Sequence, residues 1–228
     1  MLTCGLAGGA LVTLALSGCS SGGTSGAPPR EPSASDLQGS MRSSVASAHS
    51  VHFDGNLTDN GVPVGVDMGV SQSGDMQGSI TQNGARLQVI GLDSKVYIKA
   101  TPQFLREVKA PANACAILCG HWVQLPPQEA RQISSQLTLR NLSRGVNTGQ
   151  NAHLTERGTT TVDGKAAYVL KASNGATVDV SQSSPHYPLQ AHAGAGRTGT
   201  VTFSQWNSVP HPTPPPAGQV INVNGGHS

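Results

Sequence analysis

The cysteine at position 19 has the sequence context of a residue that becomes modified by lipid. It follows Leu16, Ser17 and Gly18, and the run from Leu2 to Leu16 carries no charge. That run is too short to cross a bilayer with margin, because a spanning helix needs about 20 apolar residues, but it suits the apolar region of an export signal. Small residues before the cysteine give a signal peptidase access to the backbone, and the thiol can accept a diacylglyceryl group. This lipobox pattern predicts cleavage before Cys19.

The first 35 residues are therefore predicted to serve export and anchoring. Residues 1–18 would form the signal peptide, and residues 19–35 the lipidated cysteine, carrying palmitate-type chains, and a flexible Ser/Gly/Pro tether. The anchor places the chain on the outer, extracytoplasmic face of the cell membrane. The alternative is a signal peptide with a chance cysteine near its end. Residues 1–18 contain no Lys or Arg, which are normal at the start of such signals, and a translation start upstream of Met1 would account for that.

Two further cysteines, Cys115 and Cys119, are spaced C-x3-C. In the oxidising compartment that export implies, this spacing predicts a disulfide that closes a tight loop. The alternative is half of a metal site, with His121 as a neighbouring ligand. A zinc site needs about four ligands, so the sequence predicts the disulfide and no bound metal.

Other chemistry is not indicated by the sequence. We find no G-x-S-x-G, Walker, HExxH or GxGxxG motif, and the His residues are scattered through turns and tails. The net charge of +2 gives no reason to expect a nucleic-acid partner, and charged residues make up only 11% of the chain. We therefore expect no enzymatic activity and no cofactor, and an exported protein rich in strands and turns.

One amphipathic helix and five strands are predicted for the first half of the domain. With Ser35 as the N-cap and Asp36 in the first turn, apolar residues recur every three or four positions up to Ala48. From about residue 50 to residue 99 the period changes to two, with turn signals such as Asn83-Gly84 between the runs. Alternation buries one face and leaves the other in water, so these runs predict an antiparallel meander.

The second half is predicted to contain helical turns followed by more strands. Thr101–Val108 and the segment from Pro127 to about Leu139 favour helices around a short strand at His121–Leu125. About five strands follow between residues 154 and 203, and the Pro-rich tail at 207–228 is predicted to be extended and disordered. The predicted fold class is α+β: a large curved antiparallel sheet of about ten strands, a half-barrel, with helices on its concave face.

These features resemble the LppX/LprG-type lipoproteins of mycobacteria and related actinobacteria, whose fold is similar to that of the LolA and LolB carriers. The matching segments, beyond the lipobox, the tether and the first helix, are Ser50–Phe53, Lys95–Lys99 with Phe104, His121–Pro126, Thr161–Leu170 and Pro188-Leu189. The resemblance covers about residues 36–206. It implies a half-barrel whose hollow holds the acyl chains of a lipid or lipoglycan, and a monomer that helps to carry this ligand outward through the envelope.

A lipid site would need apolar side chains on the hollow face of the sheet. The candidates are Phe53, Leu57, Val64, Val66, Met68, Ile80, Leu87, Val89, Ile98, Val178 and Val180. The alternative is that these residues form an ordinary core under the helices. In that case the chain would be a structural or interaction lipoprotein with a filled core, accessory to an envelope enzyme or sensor. Aromatic residues make up only 4% of the chain, so few large side chains are available to fill a hollow.

Overall fold

A curved sheet with short helices forms the fold in the computed structural model, which describes residues 31–59, 61–139, 141 and 154–222. The helices are α1 (Ala34–Ser47), α2 (Pro102–Glu107), α3 (Ala114–Leu118) and α4 (Pro127–Gln136). The strands are β1 (Ser50–Asp59), β2 (Val62–Ser71), β3 (Met76–Gln82), β4 (Ala85–Leu92), β5 (Lys95–Ala100), β6 (Trp122–Gln124), β7 (Thr155–Val162), β8 (Lys165–Lys171), β9 (Thr177–Ser181), β10 (Pro188–His192), β11 (Thr198–Ser204) and β12 (Val220–Asn222). The signal peptide, Cys19 and most of the tether lie outside the described residues, as do residues 223–228.

The strands form one open sheet of twelve, in the order β12-β6-β5-β4-β3-β2-β1-β11-β10-β9-β8-β7. Neighbours are antiparallel except β12 and β6, which run parallel. The strands β1–β5 and β7–β11 make two meanders, and β1 joins them by pairing with β11, with Phe53 opposite Phe203. The predicted α+β class and curved antiparallel sheet are therefore confirmed. None of the helices that the structure describes is long and apolar enough to cross a membrane.

Helix α1 begins two residues earlier than the sequence predicts. The N-cap is Ser33 rather than Ser35: the Ser33 hydroxyl accepts from the backbone N–H of Asp36, and the Asp36 carboxylate accepts from the backbone N–H of Ser33. This reciprocal capping box satisfies two N–H groups that have no partner inside the helix. The hydroxyl of Ser35 instead contacts that of Ser33, at 2.8 Å. Helix α1 therefore starts after Ser33, because only Ser33 lies three residues before Asp36, as a capping box requires.

The core lies between α1, α4 and one face of the sheet, which we call the inner face. Leu37 and Met41 of α1 are 0% and 1% exposed, and Ala130 of α4 is also buried. They belong to the same apolar cluster as Phe53 and Val70 of the sheet. The stripe predicted for the first helix is therefore confirmed as a packing surface, and burial of this kind contributes about 25 cal/mol per Å2 of apolar area.

Glycines on the inner face allow the sheet to bend. A Cβ atom on Gly55 would overlap the backbone of Thr200 on β11, and one on Gly78 would overlap the backbone of Asp67 on β2. Strands that come this close at a bend need a residue without a side chain, as at the corners of barrels. The curvature therefore depends on small residues at defined positions in β1 and β3.

The chain after Trp206 follows a defined path, in contrast to the disordered tail that the sequence predicts. Asn207 donates its N–H to the carbonyl of Ser50, and Val209 packs against Gly69 on the outer face of the sheet. Pro212 and Pro215 are buried, and residues 220–222 then pair with β6 as strand β12. The segment thus crosses from β2 to the far edge of the sheet, where a strand covers otherwise unpaired backbone groups.

The helical insertion between β5 and β6 agrees with the sequence. The side chain of Thr101 caps α2 by accepting from the N–H of Phe104, and Pro102 occupies the first turn. Cys115 and Cys119 form a disulfide that joins the two ends of α3. The disulfide predicted from the C-x3-C spacing is therefore confirmed.

Candidate functional site

The strand register places all the candidate lipid-contacting residues on the inner face. Directly opposed residues of antiparallel strands point to the same side of a sheet, and residues two apart in one strand do as well. The register pairs Phe53 with Met68, Leu57 with Val64, Val66 with Ile80, Ile80 with Leu87, and Val89 with Ile98. Val178 pairs with Ala191, and Ala191 pairs with Val201, which lies opposite Gly55 on the inner face. Val180 is two residues further along the same strand and therefore points to the same side. The alternation in the sequence therefore assigned the face correctly.

The inner face has two zones that differ in burial. Phe53, Met68, Val89, Val178 and Val180 are between 0% and 3% exposed, inside the cluster that includes α1 and α4. For these residues the interpretation as ordinary core applies. The other candidates are partly exposed: Leu57, Val64, Val66, Ile80, Leu87 and Ile98. We call these six the apolar wall. The paired positions given above connect Leu57 to Leu87, and Ile98 adjoins them through Val89. Four of the six also pack against the buried cluster: Val66, Ile80, Leu87 and Ile98.

The candidate residues chosen from the sequence do not include every apolar residue of the inner face. Leu170, Ala191 and Val201, from β8, β10 and β11, lie in register with Val178 and belong to or pack against the same cluster. In Thr198–Ser204, Val201 and Phe203 alternate with threonine and serine, and this alternation predicts that Val201 lies on the inner face.

The outer face carries the polar groups of the same strands. His52 contacts Asp67 at 2.8 Å and Ser204 at 3.2 Å. His192 lies 3.7 Å from Asp179, whose side chain is only 7% exposed. Burial raises the pKa of the Asp179 carboxyl, and the nearby His192 partly opposes that rise. No group of three or more metal-binding side chains occurs among the described residues.

A cleft of about 240 Å3 lies away from the apolar wall, where the tail meets β2. Its lining includes His49, Gly69, Asp75, Val209 and His211. His211 of the tail lies 3.5 Å from the Asp75 carboxylate, which also accepts from the hydroxyl of Ser73. These contacts hold the tail against the sheet and do not involve the residues predicted to contact lipid.

Comparison with known proteins supports the fold. The chain is similar to LprF from Mycobacterium bovis, with a TM-score of 0.54 and 16% identity over 79% of this chain and 96% of LprF. It is also similar to the Mycobacterium tuberculosis lipoprotein LppX, with a TM-score of 0.50 and 18% identity over 77% of this chain and 97% of LppX. No protein-family model and no curated protein sequence matches the chain. The predicted resemblance to LppX/LprG-type lipoproteins is confirmed for the fold.

Proposed function

We propose that this protein is a non-enzymatic lipoprotein that binds the acyl chains of a lipid or lipoglycan on the inner face of its sheet. A diacylglyceryl group on Cys19 would hold it at the outer face of the cell membrane. Its role would be to move the bound lipid through the envelope. The lipobox at Leu16–Cys19 supports the anchor, and the resemblance to LppX/LprG-type lipoproteins supports the class of ligand.

The observation that carries the proposal is the apolar wall. Six aliphatic side chains that remain partly exposed sit side by side on the inner face of an open, curved sheet. An acyl chain laid on such a surface gains about 0.8 kcal/mol for each methylene removed from water. Because these side chains keep part of their surface in water, an acyl chain could cover what the helices leave open.

The test is native mass spectrometry of the Cys19→Ala chain, expressed in its own host so that natural ligands are present. We expect this variant, exported with a signal peptide whose cleavage does not need the cysteine, in the soluble envelope fraction, whereas the wild type sediments with membranes. We also expect acyl lipid bound to the released protein.

The substitution Ile80→Glu then tests whether the co-purified lipid lies on the apolar wall. A carboxylate is poorly tolerated beside an acyl chain, so co-purified lipid should fall at least about tenfold. The matched control is Thr81→Glu, one residue further along β3 and on the outer face, where it pairs with Arg86. Thermal unfolding of both variants checks that the fold is retained.

Two outcomes would contradict the proposal. One is a Cys19→Ala protein that carries no lipid, which would favour the structural lipoprotein with a filled core. The other is an equal lipid content in the Ile80→Glu and Thr81→Glu variants, which would place any bound lipid away from the wall.

A further inference from the structure

The segment from Val108 to His121 displays the exposed large apolar side chains of the molecule. Among the residues that the structure describes, only Val108 and Ile117 are large hydrophobic residues in the exposed class, at 53% and 57%. Both lie in this segment, which we call the tip. Pro111, Ala112 and Ala116 of the tip are exposed as well. These side chains make the tip the part of the described chain that offers the most exposed large apolar groups to a partner.

The tip is held in a fixed conformation. The disulfide between Cys115 and Cys119 joins the ends of α3, and α3 contacts α2. At the end of α2, Ala110 donates its N–H to the carbonyl of Leu105 and Lys109 donates to that of Arg106. This pair of hydrogen bonds is a Schellman motif, whose left-handed position usually holds glycine. Here that position is Lys109, with φ of 54°, a conformation that favours glycine.

The charge of the tip selects one kind of partner. Residues 108–121 contain no Asp or Glu, and over residues 106–121 two cations, Arg106 and Lys109, stand against one carboxylate, Glu107. Neither of these two cations forms an ion pair within the described part of the chain. The adjacent carboxylate, Glu107, accepts a hydrogen bond from the side chain of Asn83, at 2.5 Å. Aliphatic side chains beside unpaired cations match the acyl and phosphate layers of an anionic membrane surface.

The position of the tip suits docking onto a lipid surface. The tip joins α2, which follows β5, to β6, and β5 ends at Ala100 opposite Leu87 of the apolar wall. The tip and the more exposed part of the inner face therefore lie at the same end of the sheet.

We propose that the tip, through Val108, Ile117 and Lys109, docks the domain onto an anionic lipid surface. This adds a docking surface to the proposed lipid carrier and places the open end of the apolar wall next to the bilayer. The relevance to lipid transfer rests on the proposed function, but the docking itself does not, because it uses residues outside the wall.

The test is flotation of the mature, non-acylated Cys19→Ala chain with phosphatidylcholine vesicles, with and without 30 mol% phosphatidylglycerol (roughly the anionic content needed for a clear surface potential). The double variant Val108→Ser/Ile117→Ser should lower partition about tenfold on both kinds of vesicle, because it removes apolar groups that enter the interface. Lys109→Gly should lower it about fivefold on the anionic vesicles alone. Since glycine suits the left-handed position, the fold of this variant is retained.

Lys165→Gln is the matched control, since it removes one exposed cation from the β7–β8 hairpin and should bind as the wild type does. The docking proposal would be overturned if the wild type did not bind vesicles. It would also be overturned if the double variant bound them as well as the wild type does. Because the bound lipid is measured separately by mass spectrometry, such a result would leave the carrier proposal standing.

Discussion

Asp179 illustrates how a residue's chemistry depends on its surroundings rather than on its type. On the outer face of β9 it is opposite Gln190 of β10, and its only described counter-charge is His192, at 3.7 Å. A carboxylate that is nearly buried with one distant partner favours its neutral form. Burial accordingly raises the pKa of Asp179 above its ordinary value of 3.8.

The first prediction follows from the sign of that shift. Because the folded state holds the proton more tightly than the unfolded state, Asp179 contributes stability below pH 3.8 and loses it as the pH rises through the raised pKa. Asp179→Asn should therefore be more stable relative to the wild type at pH 7 than at pH 3, as measured by urea unfolding. Asp163→Asn, in an exposed turn, controls for the loss of one negative charge. A difference between Asp179→Asn and the wild type that does not change with pH would contradict this account.

At the scale of elements, glycine has opposite consequences in a helix and at a bend of the sheet. Gly39 lies on the exposed side of α1, and a Cβ atom there would meet nothing within 4 Å. Gly78 lies in β3 between Met68 and Val89, where a Cβ atom would overlap the neighbouring backbone. The same residue type is dispensable in one element and required in the other.

We predict opposite effects for the same substitution at these two positions. Gly39→Ala should raise the free energy of unfolding by about 0.5–1 kcal/mol, because alanine restricts the unfolded chain and favours the helix. Gly78→Ala should lower it by about 1–3 kcal/mol, because β2 and β3 must separate. Chemical denaturation measures both. A neutral Gly78→Ala variant would show that the bend does not need a residue without a side chain.

At the scale of the whole molecule, the tail connects parts of the sheet that are far apart in sequence. It leaves the sheet at Trp206, whose ring stacks on Tyr187 with centroids 4.4 Å apart and donates to the carbonyl of Pro188. It then passes Ser50 and ends beside β6. Ile90 and Tyr97, which point to the outer face between these two places, are buried. The tail therefore contacts the outer face at Gly69 and adds an edge strand beside β6.

Removal of residues 207–228 should destabilise the protein and promote association. The loss of β12 leaves the backbone groups of β6 without a partner, and unpaired edges of this kind template aggregation. We expect a lower melting temperature and oligomers in size-exclusion chromatography. Removal of residues 223–228 alone is the control. If the two truncated chains behave alike, β12 contributes nothing to the stability of the sheet.

The local pattern of the sequence predicts most elements and the inner face. The period of two in β1 to β5 assigned Phe53, Val66 and Ile80 to one side, and the Pro at position 102 and the C-x3-C spacing located α2 and the disulfide. The start of α1 was misplaced because Ser33 and Ser35 both precede an apolar stripe. Ser33 has the three-residue spacing to Asp36 that the reciprocal hydrogen bonds of a capping box need, and Ser35 does not.

By itself, the sequence determined the order of most elements, the composition of each face and the chemistry expected at Cys19, because these depend on neighbours along the chain. Only the tertiary structure decided that β1 pairs with β11, that the tail adds a strand to β6, and which half of the inner face lies beneath α1 and α4. Each of these depends on contacts between segments far apart in sequence, which alternation cannot encode. A period of two predicts that Leu87 and Val89 point to the same side of the sheet. It does not predict that Leu87 is partly exposed and Val89 buried.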